Sequence, residues 1–242
     1  MILLIDAGNT RVKWGLYGDG VWLGEGALEH ACVGELGALA QGHAGIARVF
    51  GSNVAGSAVA DAIAQALHGR TPAPQWLRSS AACCGVRNAY DQPGQLGTDR
   101  WAALIGAHAL HSAACLVVSA GTATTIDILD TDGLFRGGLI LPGEQLMRRS
   151  LARDTAQLPF AAGRFVDAPR NTADAIASGC LNAQAGAVER MFRHIAHDAG
   201  ALCLLSGGGA DTLAAVLEIP FRRVDNLVLK GLAVAATQPD TP

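Results

Sequence analysis

Three short segments and one acidic residue carry the side-chain types that phosphate chemistry needs. The first segment is DAGNT, Asp6 to Thr10, with Arg11 and Lys13 just downstream. Gly8 lets the backbone turn tightly and approach a ligand closely, and free N–H groups in such a turn point at anions. Asn9 and Thr10 add side-chain donors, and Asp6, at the end of an apolar run, suits a Mg²⁺ ion held through water. Asp, Gly and Asn are equally the residues of an ordinary hairpin turn, so both readings stand at this point. The second segment is SAGTATT, Ser119 to Thr125, where hydroxyls and amides flank Gly121 and Asp127 follows. It also suits a Thr-rich, half-buried hairpin. The third is SGGGAD, Ser206 to Asp211. Three glycines leave room for a flat group against the backbone, and a following helix N-terminus favours negative charge; a flexible strand–helix connection has the same composition. No G-K-[ST] follows it, and G-x-G-x-x-G is absent from the chain, so neither a Walker A loop nor a dinucleotide fingerprint is present.

Asp99, in LGTDRW, is the most informative single residue. Transfer of a phosphoryl group to an alcohol uses a positioned carboxylate to accept the hydroxyl proton, and Arg100 beside it suits a bidentate grip on an anion. Asp before an apolar periodic run is also a frequent helix cap. The pairs His108/His111 and His194/His197 are each three apart, but no Cys or carboxylate cluster completes a metal site around them. The six cysteines, Cys32, Cys83, Cys84, Cys115, Cys180 and Cys203, form no C-x-x-C pair. Most sit among apolar residues, as free thiols do. A chain of 242 residues needs no disulfide framework, so a reducing cytoplasm is expected.

Elements able to hold these segments recur along the chain. Residues 2–5 (ILLI) read as a buried strand stopped by DAGNT, and 11–17 alternate as a strand pairing back onto it. Strands are also expected at 46–52, 75–80, 115–118, 124–129 and 201–205, and helices at 55–68, from Asp99, at 171–197 and at 226–236. Residues 81–98, with Gly85, Pro93, Gly94 and Gly97, read as a long functional loop. This alternation predicts an α/β protein. Residues 4–16 (LIDAGNTRVKWGL) and 117–129 (VVSAGTATTIDIL) repeat one pattern about half a chain apart, which predicts two similar halves, 1–113 and 114–242, around a cleft.

Hydrophobic residues make up 50% of the chain, enough for a well-packed core. The net charge of −3 without a dense Lys/Arg run removes the electrostatic footprint of nucleic-acid binding. MILLIDAGNT has no basic leader, and no apolar run reaches bilayer length, so neither a signal peptide nor a membrane span is expected.

The three turns together resemble the phosphate-1, phosphate-2 and adenosine segments of the sugar kinase, Hsp70 and actin superfamily. DAGNTRVKWG at the start, Y-x-x-P-x-x-L-G-T-D-R-W at 90–101, AGTATTID at 120–127, GGLILPG at 137–143, NTADAIASG at 171–179 and LVLKGLAVA at 227–235 are similar to type III pantothenate kinases, also called the Bvg accessory factor family. The resemblance runs in order along nearly the whole chain. It implies a duplicated actin-like, ribonuclease H-like fold around an ATP cleft. It implies ATP-dependent phosphorylation of pantothenate to 4'-phosphopantothenate, the first step of coenzyme A biosynthesis. Asp6, Ala7, Gly8, Asn9, Thr10, Arg11, Val12 and Lys13 would form the phosphate-1 loop, with Asp6 near Mg²⁺, and Thr122 would contact the ATP phosphates. Asp99 would take the substrate proton, and Tyr90, Gly97, Thr98, Asp99 and Arg100 would hold pantothenate. Thr172 would reach pantothenate across a homodimer interface, and K⁺ or NH₄⁺ would assist. One position departs from the family pattern: Ser119 stands where Asp usually opens the second hairpin, at the monovalent-cation position. A second reading, a nucleotide-binding accessory or regulatory protein of the same fold, follows from that departure.

Overall fold

The computed structural model describes residues 1–43, 45–158 and 160–238. It contains two compact units, one formed by Met1–Leu110 with the chain from Asn226 onward, the other by His111–Asp225.

The first unit opens with β1 (Ile2–Ala7), β2 (Arg11–Gly18) and β3 (Val21–Glu29), followed by α1 (Glu35–Gly42), β4 (Arg48–Asn53), α2 (Ser57–Leu67) and β5 (Gln75–Trp76). Its sheet has the order β3-β2-β1-β4-β5. β1 runs antiparallel to β2 and parallel to β4. As the central strand it is covered on both faces, which is why its apolar run is continuous and Leu3, Leu4 and Ile5 are fully buried. β3 has no clear apolar alternation in VWLGEGALE, because glycine replaces side chains on one face. A Cβ on Gly26 would lie 2.7 Å from the Trp14 indole, so Gly26 lets that ring lie across the strand.

The expected loop 81–98 holds a small hairpin, β6 (Ala82–Cys83) and β7 (Val86–Asn88), and a 3₁₀ turn at Pro93–Gln95. Strands this short carry no periodic signal. α3 (Thr98–Leu110) follows and is buried all round from Arg100 to Ala107, as a central helix must be.

The second unit comprises β8 (Cys115–Ala120), β9 (Ala123–Leu129), β10 (Leu134–Pro142), α4 (Glu144–Asp154), α5 (Thr172–Phe192), β11 (Leu202–Ser206), α6 (Ala210–Ala214) and β12 (Phe221–Arg223). Its strands neighbour one another as β10-β9-β8-β11-β12, the same plan as the first unit. β8 is antiparallel to β9 and parallel to β11. The expected helix 171–197 ends at Phe192, beyond which the chain continues as turns.

α7 (Leu227–Thr237) closes the chain on the first unit. The expected halves, split at 113/114, instead leave this helix with the second. Its place follows from close packing on α3. A Cβ on Gly106 would meet Leu227 O at 2.8 Å and Gly231 N at 2.9 Å, and one on Gly231 would collide with Ala102 O. Side chains at either glycine would hold the helices apart.

Candidate phosphoryl-transfer site

In the first unit, β1, β2 and β4 bring three polar residues into register. Asp6 lies opposite Lys13 on β2 and Ser52 on β4. Asp6 is 8% exposed, and its carboxyl is pushed up to about 6, above all by burial. Lys13 opposes that shift and Asp99 adds to it. Two carboxylates thus feel each other in a poorly solvated place. A divalent cation there would offset both the lost hydration and the repulsion, so these residues fit Mg²⁺.

The turn after β1 is anchored on both sides. Gly8 N donates to Arg11 O at 3.1 Å, and Gly8 O accepts from His30 Nε2 at 2.8 Å. Ala7 and Val12 pair across the hairpin and are fully buried, while Asn9, Thr10 and Arg11 face solvent. Buried strand ends thus hold an exposed donor turn, the arrangement a phosphate needs.

The start of α3 supplies the second carboxylate. Gly97 O accepts the first helical bond from Trp101 N at 2.9 Å, and Asp99 Oδ1 accepts from Arg100 N at 2.8 Å. Asp99 therefore acts on the helix terminus, where negative charge is favoured, while staying partly exposed. Asp99 is in the first turn of α3 and not at its cap, and it satisfies a terminal N–H from there. A Cβ on Gly97 would sit 2.7 Å from Asp99 Oδ1, so glycine leaves the carboxylate its place. Thr98 Oγ1 and Ser52 Oγ are 2.8 Å apart and tie the helix start to the end of β4. Arg100 is 6% exposed; its Nη1 donates to the Tyr90 hydroxyl at 2.9 Å, and its guanidinium lies 5.7 Å from the Tyr90 ring centre.

In the second unit the corresponding register holds hydroxyls. Ser119 lies opposite Thr125 on β9 and Ser206 on β11. Gly121 N donates to Ala123 O at 3.0 Å, closing the turn, and Gly143 N donates to Thr122 O at 2.9 Å. Thr122 itself is exposed. In the glycine turn, Gly207 has φ +100° and lies against Ala120 O, where any side chain would collide. Gly209 N donates to the same carbonyl at 2.9 Å. Thr172 opens α5 behind the Asn171 cap, whose side chain accepts from Asp174 N at 2.9 Å. Thr172 faces a cavity of about 860 Å³ between α4 and α5, lined also by Met147, Leu151, Arg170 and Ile176.

The model of the type III pantothenate kinases matches residues 2–194 of this chain. A type III pantothenate kinase of Aromatoleum aromaticum is 67% identical over 98% of both chains. One of Azoarcus sp. is 53% identical over 98% of this chain and 90% of its own. The chain belongs to the type III pantothenate kinase family.

Solved structures place this family member in the sugar kinase and actin-like fold. A Campylobacter jejuni protein described as a Baf family transcriptional activator superposes with a TM-score of 0.60 at 20% identity, covering 96% of this chain and 95% of its own. A Sinorhizobium meliloti protein described as a 2-dehydro-3-deoxygalactonokinase gives 0.61 at 17% identity, covering 98% of each.

Two residues of this pantothenate kinase family site were not legible in the sequence. Ser52 ends an apolar strand and carries no motif, yet it links Asp6's neighbourhood to Thr98. His30 is 22 residues from the carbonyl it holds. Only the β2–β3 hairpin brings it back.

Proposed function

We propose that this chain transfers the γ-phosphate of ATP to the primary hydroxyl of pantothenate, forming 4'-phosphopantothenate for coenzyme A synthesis. The observation that carries this reading is the pair Asp6 and Asp99, held on β1 and α3 closely enough to interact, with Lys13 opposite.

Asp99 accepts the hydroxyl proton as the pantothenate oxygen attacks phosphorus. Its own helix holds it in place, so little reorientation is needed at the reacting moment. The donors of the Gly8 turn and the Lys13 ammonium take the charge of the phosphate oxygens. Mg²⁺, near Asp6, supplies further neutralisation of that charge when bound. Arg100, fixed by Tyr90, pairs with the pantothenate carboxylate, and Gly97 and Thr98 contact the same substrate. Thr122 contacts the ATP phosphates. Thr172 reaches the pantothenate of a partner subunit in a homodimer, and the Ser119 hydroxyl would help hold K⁺ or NH₄⁺ when bound. ATP is the phosphoryl donor of this cytoplasmic enzyme. Among the described residues, no helix is long and apolar enough to cross a membrane.

The test is ATP consumption with and without pantothenate, for the wild type and Asp99→Asn. The wild type is expected to turn over only with pantothenate, and the variant to lose about 10²–10⁴-fold in kcat. A wild type that binds nucleotide without pantothenate-dependent turnover overturns this reading. The neutral Ser119 would then favour the accessory-protein alternative.

A further inference from the structure

Cys83 and Cys84 are adjacent in sequence, and their Sγ atoms lie 3.4 Å apart. Neighbouring residues in extended chain point to opposite faces. Here Cys84 has φ +50° and Gly85 φ +81°, and this left-handed turn between β6 and β7 swings the two thiols together. A left-handed backbone is costly for a residue with a side chain. Gly85 adds a steric requirement, because a Cβ there would lie 2.9 Å from His108 Nε2. Both thiols are partly exposed, while Cys115, Cys180 and Cys203 are buried.

We infer that Cys83 and Cys84 form an oxidisable dithiol that takes a small-molecule disulfide as co-reactant and thereby alters the segment leading to Tyr90. One thiolate attacks the disulfide R–S–S–R, forming a mixed disulfide and releasing one RS⁻. The second thiolate attacks the bonded protein sulfur, closing the Cys83–Cys84 bond and releasing the other RS⁻. The two thiol protons pass to the two released thiolates, so the protein is oxidised by two electrons and R–S–S–R is reduced to two RSH. Adjacent Cα atoms are about 3.8 Å apart, below the usual disulfide range of about 4.4–6.8 Å. The ring is therefore strained and readily reduced, as reversible disulfides are.

The coupling runs through Asn88. Its backbone N donates to Ala81 O at 2.8 Å, and its side chain donates to Ser80 O at 3.3 Å and Pro93 O at 3.2 Å. Its Oδ1 accepts from Tyr90 N at 3.1 Å. The bonds to Ala81 and Ser80 span the Cys83–Cys84 turn and the other two tie Asn88 to Pro93 and Tyr90, so ring closure pulls on the residue that sets Tyr90. The effect on pantothenate rests on the function proposed above; the chemistry of the thiols does not.

The experiment incubates the full-length Cys32→Ser protein, which lacks the exposed thiol outside this pair, with oxidised glutathione. Intact mass and peptide mapping are read alongside the KM for pantothenate and kcat. Expected are loss of two hydrogen atoms mapped to Cys83–Cys84, reversal by dithiothreitol and a several-fold rise in KM with little change in kcat. The further variant Cys83→Ser/Cys84→Ser in that background should keep its KM through the treatment. A stable glutathione adduct on one thiol, or no reaction, overturns the dithiol. A closed ring with unchanged KM overturns the coupling. Absence of any pantothenate turnover leaves the mass readout intact and points instead at the proposed function.

Discussion

The two units build one five-strand plan twice and differ most where three strands end side by side. In the first, β1, β2 and β4 present Asp6, Lys13 and Ser52; in the second, β8, β9 and β11 present Ser119, Thr125 and Ser206. One triplet carries charges of both signs and the other only hydroxyls. The frame accepts either, because the residues that form it are the buried aliphatics behind, such as Leu3 and Ile5 in one unit and Leu116 and Val118 in the other. The charged triplet has a cost that the neutral one lacks. Burial pushes Asp6 up to about 6, so an ionised Asp6 opposes folding of the ligand-free protein. The strand plan is thus a structural inheritance of both units, and the charge is a feature of one.

The strongest way to break this comparison is to make the first triplet as neutral as the second. Asp6→Asn is expected to lower pantothenate-dependent turnover by at least about 10²-fold. The same variant should gain stability. Because the folded-state value lies above the ordinary 3.8, the wild type loses stability as pH rises from about 4 to about 6. The loss amounts to about 3 kcal/mol and persists above that window. Urea unfolding should therefore find Asp6→Asn more stable than wild type at pH 7 and equal to it below about pH 4. A variant no more stable at pH 7 shows that Asp6 is not held under strain by burial.

Next in size is the close α3–α7 contact of the first unit. Gly231→Ala should push α7 off α3 and destabilise by about 1–3 kcal/mol in denaturant melts, since the new methyl meets the backbone of Ala102 and not a movable side chain. A neutral result shows that the two helices already have room.

A smaller effect is expected at Tyr90. Tyr90→Phe removes the acceptor of the Arg100 Nη1 bond, and one such bond is worth about 1 kcal/mol. That predicts a roughly five-fold rise in the KM for pantothenate with kcat little changed.

The mildest change sharpens the comparison from the other side. Ser119→Asp gives the second triplet the carboxylate of the first and should lower the K⁺ concentration needed for half-maximal activity. An unchanged K⁺ response shows that Ser119 holds no monovalent cation.

Much of the first triplet's setting was readable, because long-range packing leaves local marks. ILLI followed by DAGNT announces a covered strand and a turn, and TDRW before an apolar run announces a helix start. The segment 81–98 reads as a loop because β6 and β7, two and three residues long, are too short to show a period. β3 leaves no strand signal in the sequence because its glycines interrupt the apolar alternation. The repeat was visible too, but its register was not. Read without a gap, 4–16 over 117–129 sets Lys13 against Ile126; by strand pairing, Lys13 corresponds to Thr125. The second turn is one residue shorter, closing Gly121 to Ala123 where the first closes Gly8 to Arg11.

Residue type and spacing predict the duplicated strand–turn–strand and single out Asp6 and Asp99 as candidates, because each is marked within about a dozen consecutive residues; the family follows from the resemblance of motifs along nearly the whole chain. The tertiary structure decided that Ser52 stands beside Asp6, that His30 holds the Gly8 carbonyl and that α7 belongs to the first unit. It also raised the Asp6 carboxyl by burying it. Those are properties of residues far apart in the chain, and strand register, close helix approach and loss of solvent act on them only after the chain has folded.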